Sequence, residues 1–545
     1  MQKKEMLLKQ GKRAARSFLS FQAIIKEEEQ KQPGDTKKII RSISDELDQS
    51  SMQLCACTKL RIFLCVLDPP INAVLQCKPC IVKRLIPLMC AFEKNIESKI
   101  QLEVAWIFSN LLSGTQKQVK HLIDCGILDA MMHVISEIPL TKPSVLRTQI
   151  IWALSNIAAD YHHSPLKMPQ EEQVFDLGVK LFANSDCVNY EHLHVFAWLL
   201  TNMRRAKFPL KPSLQHLHMI VPVLGQILET QLLIDQQLWW DACTMLGTLI
   251  MRDSSTTNSE NIQIQAVLDD GGALQGIFQC LSLHESCDSL LLCDSLEFIR
   301  RLACHGNIQQ ASLALNALPV LAKLIAHRKP MVRTSCYEVV GTIASKTESN
   351  LEECMKAGLI TSLIKVIVSD SDIDHQITAA FALLDIVEIA NTQQIQVLVA
   401  QDLLVAICES LTLGECICDE DMLQNVMIQL QEIMSKARSP DELDAFTKII
   451  DECDGFSTLI DLSSSSTHSV HMLAQELLAD YFKYEDCDAC AHDSMTKKKK
   501  KNRNMILSES AQDVVCKCSS GCILKHIGGH SRRLCKPRKK QINFI

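Results

Sequence analysis

The sequence predicts an all-α protein built as an extended array of helical repeats. The chain has 545 residues, too many for one small core, and it contains only 18 glycines, 16 prolines and 5% aromatic residues, which is typical of helical proteins. No segment shows the convincing alternation of apolar and polar residues that marks a strand. A short helical motif also recurs at a constant interval, which is the mark of a repeat protein.

Residues 1–34 are predicted to form a basic N-terminal arm. The stretch "KKEMLLKQGKRAAR" can form a short helix that ends before Pro33-Gly34. Its charges fall on more than one side of such a helix, as a partner with an acidic channel would require. A solvated basic terminus is the alternative interpretation. The basic residues are Lys3, Lys4, Lys9, Lys12, Arg13 and Arg16.

Residues 35–483 are predicted to form the repeat array. A Trp-x-x-x-Asn motif occurs in "VAWIFSNLLSG", "IIWALSNIAAD" and "FAWLLTNMRRA", with the tryptophans 46 residues apart each time. This spacing puts the two side chains one turn apart on the same helical face. A period of about 40 to 47 residues is typical of armadillo or HEAT repeats. The pairs are Trp106 with Asn110, Trp152 with Asn156, and Trp198 with Asn202.

A turn that ends in glycine precedes an apolar helix at four places in this array. Each glycine suits a left-handed turn between two helices, where a Cβ atom would be strained. The repeated unit is therefore a helix, a turn and a long helix, present about nine or ten times, whose stacking leaves a long concave face. The glycines are Gly126, Gly272, Gly358 and Gly455.

Residues 484–545 are predicted to be a flexible tail with a lysine run and a group of cysteine and histidine residues. These residue types are found in zinc sites, but their spacings match no such site strongly, so we expect no metal. The residues concerned are Cys487, Cys490, His492, Cys516, Cys518, Cys522, His526, His530 and Cys535.

Composition and motifs argue against several functions. The 25 cysteines, an odd number, without an apolar signal segment indicate reduced, buried thiols in an intracellular protein. No uninterrupted run of 18 apolar residues predicts a membrane span. Basic residues gather at the termini rather than on a repeat face, which argues against nucleic acid. There is no phosphate-binding glycine loop, no HExxH motif and no nucleophile elbow, so we expect neither an enzyme nor a cofactor.

Three Trp-x-x-x-Asn helices at armadillo spacing, behind a basic arm, resemble the importin-α family, whose members carry nuclear localisation signals. Further stretches that resemble it are "DPPINAVLQ", "SNLLSGTQKQVKHLIDCGIL" and "LAQELLADYFKYED". The resemblance implies a right-handed superhelical solenoid of armadillo repeats and a role as a nuclear-import adaptor in cytoplasm and nucleus. It also implies importin-β as a partner of the arm, and a nuclear export receptor at the acidic residues 476–488.

In that family, repeats two to four form the major signal-binding groove. Asparagine amides can donate to and accept from an extended peptide. Parallel indoles can form slots for lysine or arginine stems, with cation–π attraction of about 0.5 to 2 kcal/mol each, and an aspartate can select charge. Packing between repeats is the alternative, but three pairs at a constant period favour a groove. The matching positions are Trp106, Asn110, Gly114, Gln149, Trp152, Asn156, Asp160, Trp198 and Asn202.

The sequence departs from the family pattern in several places. The series of tryptophan and asparagine pairs, which we call the ladder, stops at Thr244, 46 residues after Trp198. The family has a second, minor groove in repeats seven and eight. The matching positions here are Tyr337 with Gly341 and Phe381 with Asp385, so both asparagines are missing. Arg301 stands where another asparagine is expected and places positive charge in a groove for cations. We therefore expect a working major site and a weak or dead minor site.

The two termini leave the function open between alternatives. The arm resembles only the latter half of the importin-β-binding segment. The chain is thus expected to be an import adaptor or, alternatively, a scaffold or retention factor that holds basic peptides without transporting them. The stretch "TKKKKKNR" at 496–503 is a nuclear signal of the protein itself, an autoinhibitory pseudo-ligand or a solvated tail.

Overall fold

A computed structural model of the protein describes residues 33–65, 69–91, 99–139, 144–161, 168–183, 190–204, 212–229, 236–250, 262–270, 272–464, 467–482, 525–527 and 530–532. The six basic residues of the predicted arm and the lysine run of the predicted tail lie outside these ranges. Nine cysteines and histidines of the tail were considered for zinc. Seven of them also lie outside these ranges, and the other two, His526 and His530, lie in two short strands.

The described chain is almost entirely helical, which confirms the predicted all-α class. Two strands of three residues, β1 (Lys525–Ile527) and β2 (His530–Arg532), also pair in antiparallel fashion. The helices are α1 (Pro33–Leu47), α2 (Gln53–Phe63), α3 (Ile71–Leu75), α4 (Ile81–Cys90), α5 (Lys99–Leu111), α6 (Gln116–Asp124), α7 (Ile127–Glu137), α8 (Val145–Tyr161), α9 (Glu171–Ala183), α10 (Tyr190–Arg204), α11 (Leu214–Glu229), α12 (Gln236–Leu249), α13 (Ile262–Asp270), α14 (Gly272–Ser282), α15 (Ser289–His305), α16 (Ile308–Ser312), a 3-10 helix (Leu313–Ala317), α17 (Leu318–Leu324), α18 (Pro330–Ala344), α19 (Glu348–Lys356), α20 (Leu359–Ser369), α21 (Ile373–Ile389), α22 (Thr392–Val399), α23 (Leu403–Cys416), α24 (Glu420–Ser435), α25 (Pro440–Glu452), α26 (Gly455–Leu462) and α27 (His468–Phe482).

The helices belong to two compact units, and the division between them falls within α13 and α14. In the first unit, the long helices α2, α5, α8, α10 and α12 each pack against the next one along the chain. In the second unit, α15, α18, α21, α24 and α27 do the same. We call these ten helices the inner helices. Shorter helices between them complete the repeats, as the recurring motif predicted.

Helix α5 shows why the inner helices stack. Its apolar residues Val104, Phe108 and Leu111 are fully buried, and they recur at the three- and four-residue spacing of one helical face. Burying each such side chain contributes roughly 1.5 to 3 kcal/mol. Because no single repeat can bury this face alone, stability comes from packing between neighbouring repeats.

The structure confirms a left-handed glycine at two of the four predicted turns and differs from the prediction at the other two. Gly126 and Gly358 have φ angles of 91° and 72° and precede α7 and α20, as predicted. Before α26 the left-handed residue is Asp454 instead, with φ of 61°. Gly455 is the next residue, where a Cβ atom would approach the Cys408 sulfur to 2.6 Å, so close packing explains it. Gly272 is the first residue of α14.

Within the described ranges, no single helix is long and apolar enough to cross a membrane. Helices α22 and α23 reach the required length only together, and they are bent by 80° to each other. The same ranges contain no group of three or more histidine, cysteine, aspartate or glutamate side chains that could hold a metal ion.

The cysteines of the described ranges are free thiols, but they are less uniformly buried than the sequence suggested. Cys57, Cys354 and Cys408 are buried, whereas Cys55 and Cys418 are exposed. Burial raises the pKa of each of the three buried thiols to about 12. The reactive thiolate form is therefore scarce at neutral pH in these three residues.

We expect iodoacetamide at pH 8 to label Cys55 and Cys418 at least about tenfold faster than Cys57, Cys354 and Cys408, since labelling needs both exposure and a thiolate. Mass spectrometry of peptides from a labelling time course measures the rates. The denatured protein is the control, in which the five rates should converge. Equal rates in the folded protein would contradict the packing of α2, α19 and α23.

Candidate peptide-binding groove

The structure brings the three tryptophan and asparagine pairs onto adjacent inner helices. They lie on α5, α8 and α10, and α8 packs against both of the others. Trp152 and Asn156 in the middle are each only 5% exposed. The outer pairs, Trp106 with Asn110 and Trp198 with Asn202, are half-buried. The nearly constant repeat length keeps the pairs in register, because α5, α8 and α10 pack side by side at the same level.

The asparagine amides make the same contact in successive repeats. Asn156 Nδ2 donates to the carbonyl oxygen of Ser109 at 2.9 Å, and Asn202 Nδ2 donates to that of Ser155 at 3.3 Å. Each amide is thereby fixed by one of its two N–H groups. Among the described residues, no donor is recorded for the Oδ1 atom of either side chain, so each amide keeps one donor and one acceptor for a ligand.

The indoles differ from the parallel arrangement that the sequence analysis expected. The ring centroids of Trp152 and Trp198 are 5.2 Å apart and the rings are tilted by 58°. A lysine stem between two parallel rings needs a separation of about 7 to 8 Å, twice the carbon–carbon contact distance. The expectation of open slots is therefore wrong for this pair, because the two rings pack against each other.

Gln149 also serves the contact between repeats. Its Nε2 atom donates to the Ser109 hydroxyl at 2.7 Å, and that hydroxyl donates to the Gln149 carbonyl oxygen at 3.1 Å. Gln149 is 9% exposed. Ser109 therefore binds both Gln149 and Asn156, which locks α5 to α8 at two levels. Packing between repeats, the alternative weighed for the motif, accounts for part of what these amides do.

Asp160 lies in the last turn of α8, one residue before the helix ends at Tyr161. A carboxylate there meets the negative end of the helix dipole, which is unfavourable by about 0.3 to 1 kcal/mol. The side chain is half-buried and follows Asn156 by one turn. Its position suits a cationic ligand better than it suits the helix itself.

Gly114 follows α5 and has a local packing reason of its own. A Cβ atom there would approach Oε1 of Gln118 to 2.4 Å. That oxygen accepts a hydrogen bond from the Thr115 backbone at 2.7 Å and completes the capping box of α6. Any larger residue at position 114 would disturb the start of the next helix.

Two of the four minor-groove positions, Tyr337 and Gly341, lie in the core rather than on an open surface. Tyr337 is 1% exposed and packs edge-on against His375, with 6.0 Å between ring centroids. Gly341 lies where α18 approaches α21 most closely, since a Cβ atom there would be 2.7 Å from that of Ala382. Phe381 and Asp385 are half-buried on α21. An asparagine ladder has no room at position 341.

Arg301 is not the isolated positive charge that the sequence suggested. Its Nε donates to Glu297 at 2.6 Å, one turn earlier on α15, and Arg300 donates to the same carboxylate at 2.7 Å. Burial alone would raise the pKa of Glu297, but the hydrogen bonds and charges of the two arginines hold the pKa below its ordinary value. A second carboxylate, that of Glu338, lies 3.9 Å from Arg300, so the two guanidinium groups face two carboxylates and their charges are balanced.

Several residues at the edge of the ladder were missed by the sequence analysis. Arg61 and Cys65 are four residues apart near the end of α2, as Trp106 and Asn110 are on α5. Asn110 donates to the Cys65 sulfur at 3.4 Å. Counting back 46 residues from Trp106 and Asn110 gives Leu60 and Leu64, one position short of this pair, so the repeat period alone would not have found it. A second pair, His194 with Asp241, joins α10 to α12, and no sequence motif marks it.

The series of tryptophan and asparagine pairs does not continue on α12. Thr244, the residue 46 positions after Trp198, is 8% exposed, so no indole lines the surface at that level. Trp240, one turn earlier, is half-buried, and its indole nitrogen is buried without a hydrogen-bond partner among the described residues.

Comparison with known proteins shows that the chain is similar in sequence to importin-α subunits. No protein-family model matches it. It is 23% identical over 454 residues to importin subunit alpha-1b of Oryza sativa subsp. japonica, covering 81% of this chain and 78% of that protein. It is 25% identical over 445 residues to importin subunit alpha-3 of Arabidopsis thaliana, covering 80% and 77%.

Among solved structures, an engineered protein superimposes with a TM-score of 0.61 at 19% identity, over 82% of this chain and 99% of its own. That likeness concerns the fold. The long sequence matches to importin-α subunits also agree with the prediction that this protein is not an enzyme. The chain therefore has the fold of a helical repeat protein, and over about four fifths of its length it is similar to importin-α subunits at 23 to 25% identity.

Proposed function

We propose that this protein is a nuclear-import adaptor that binds lysine- and arginine-rich localisation signals of cargo proteins along α5, α8 and α10. The observation that carries the proposal is the ladder of three tryptophan and asparagine pairs on adjacent inner helices, with Asn156 and Asn202 held by equivalent hydrogen bonds. Such a ladder matches an extended peptide, whose unpaired backbone groups need one donor and one acceptor at each step. The relatives are named as importin subunits, which supports the transport role.

A basic peptide would have to part the indoles of Trp152 and Trp198, which are in contact. The aliphatic stem of a lysine would then replace one ring as the packing partner of the other, and its ammonium would lie over the indole face. Asp160, half-buried one turn after Asn156, would select a cation over a neutral side chain of equal length.

Delivery of cargo would depend on segments outside the described residues. The predicted basic arm, residues 1–34, would bind importin-β, a nuclear export receptor would return the adaptor, and the protein would move between cytoplasm and nucleus. A scaffold or retention factor is the alternative, because the short arm resembles only part of an importin-β-binding segment. Mixing the full-length protein with a fluorescent lysine-rich peptide and importin-β tests the two. A ternary complex supports the adaptor, whereas binding of peptide without importin-β supports the scaffold.

The second cluster of a bipartite signal should add less than about threefold to affinity, because Tyr337 is core and Gly341 has no side chain that could bind a peptide. Fluorescence anisotropy with peptides that carry both clusters, or either one alone, measures this. The control is a variant of the full chain with lysines 497–501 replaced by serine, which removes competition from its own lysine run. Equal losses of affinity on deleting either cluster would refute a dead minor site.

A further inference from the structure

Trp106 on α5, the first tryptophan of the ladder, already has a cationic side chain next to it, that of Arg61. The Cζ atom of Arg61 lies 5.0 Å from the centroid of the Trp106 ring, within cation–π range. Arg61 belongs to α2, which packs against α5, and α5 in turn packs against α8. The guanidinium therefore reaches Trp106 from the neighbouring repeat.

The same guanidinium is paired with a carboxylate. Arg61 Nε donates to Oε2 of Glu103, which lies one turn before Trp106 on α5. The side chains of Arg61 and Glu103 are 21% and 19% exposed, so the pair is largely screened from water. An aromatic face beside a carboxylate is the combination that selects a lysine or arginine side chain.

We propose that Trp106 and Glu103 form a cation subsite of the groove whose occupant is the chain's own Arg61. The inference rests on the proposed function, since it concerns the same groove. Arg61 ends the ladder by filling this subsite from within the chain. It is thus a specificity-determining residue that limits how many basic residues of a ligand the groove reads.

The spacing of the inner helices determines how long a peptide must be to reach this subsite. Neighbouring inner helices pack about 8 to 10 Å apart, and an extended peptide advances about 3.3 Å per residue. Three consecutive lysines therefore cover one step of the ladder. Six consecutive lysines span from the level of Trp198 to the level of Trp106, where Arg61 competes with them.

The test compares the full chain with an Arg61→Gln variant, using glycine-serine peptides that carry three or six consecutive lysines. Glutamine keeps most of the side-chain length but vacates the cation position and leaves Glu103 without a positive partner. We expect the six-lysine peptide to bind the variant about threefold to tenfold more tightly than the wild type, and the three-lysine peptide to bind both equally. Anisotropy titrations at fixed salt give the affinities.

Two further variants separate the subsite from general effects. The double variant Arg61→Gln, Glu103→Gln should lose the gain, because the carboxylate that attracts the sixth lysine is gone. Arg84→Gln is the matched control, since it removes an arginine that binds Ser44 and Asp48 rather than an indole. It changes the net charge equally and should leave both affinities unchanged.

The outcomes distinguish the subsite from the groove itself. Failure of the wild type to bind either peptide would remove the proposed function. Binding by the wild type, with Arg61→Gln weakening both peptides or strengthening both equally, would overturn only the subsite. Arg61→Lys keeps a cation beside Glu103, so a well-folded Lys variant that gains affinity for six lysines would likewise contradict it.

Discussion

Replacing Trp198 by alanine together with Asp160 by asparagine should weaken binding of a single-cluster lysine peptide by at least about thirtyfold. The indole supplies cation–π attraction of about 0.5 to 2 kcal/mol. The carboxylate supplies a charge-assisted hydrogen bond of about 1.5 to 3 kcal/mol. Together they contribute about 2 to 5 kcal/mol, and each 1.4 kcal/mol is tenfold in affinity. Both side chains are half-buried, so they can be removed with less damage to the core than Trp152, which is 5% exposed.

The matched control is Phe381→Ala with Asp385→Asn on α21, which removes the same kinds of side chain from the second unit. We expect this pair of changes to alter affinity by less than about threefold, since Tyr337 and Gly341 offer no ladder there. Circular dichroism verifies that each variant is folded. Equal losses in the two variants would show that the effect does not belong to the groove. Unchanged affinity in the Trp198 and Asp160 variant would place the peptide elsewhere.

Gly341→Asn should destabilise the protein and should not create a second binding site. The substitution introduces the residue type that the resemblance to importin-α implies at this position. However, a Cβ atom at 341 would lie 2.7 Å from the Cβ and 2.9 Å from the Cα of Ala382. Overpacking of this kind costs about 1 to 3 kcal/mol. A lower midpoint of urea unfolding, with no gain from a second lysine cluster, is the expected result.

A rescue experiment identifies the cause. Gly341→Ala alone should be destabilising, and adding Ala382→Gly should recover most of the loss because the methyl group moves from α21 to α18. Helix propensity changes in opposite directions at the two positions and nearly cancels. The coupling between the two changes is read from the double-mutant cycle. Additive effects, or a stable Gly341→Asn variant that gains bipartite affinity, would contradict close packing of α18 on α21.

The periodic features could be predicted from the sequence because they depend on local geometry. A four-residue spacing puts Trp152 and Asn156 on one face of any helix, and a constant repeat length brings equivalent faces side by side. The all-α class and the turns at Gly126 and Gly358 follow from the same kind of local rule. The positions of the major-groove residues could therefore be proposed without coordinates.

Distances between repeats could not be predicted in this way. They depend on which side chains meet where two repeats pack together. Gly341 meets Ala382 and Arg61 meets Trp106, although the residues of each pair are more than 40 positions apart in the sequence. The turn before α26 is another case, because Asp454 adopts the left-handed conformation while the glycine after it serves a contact with Cys408. Sequence spacing does not encode such contacts, since they arise from packing among residues that are far apart in the chain.

The sequence by itself therefore determined the repeat architecture and the row of residues that we propose to face a basic ligand. Only the tertiary structure decided that Trp152 and Trp198 touch, that Arg61 covers Trp106 and that Tyr337 belongs to the core. The physical reason is that helical periodicity is a property of neighbouring residues. The separation and burial of side chains are set jointly by two or more repeats when they close-pack.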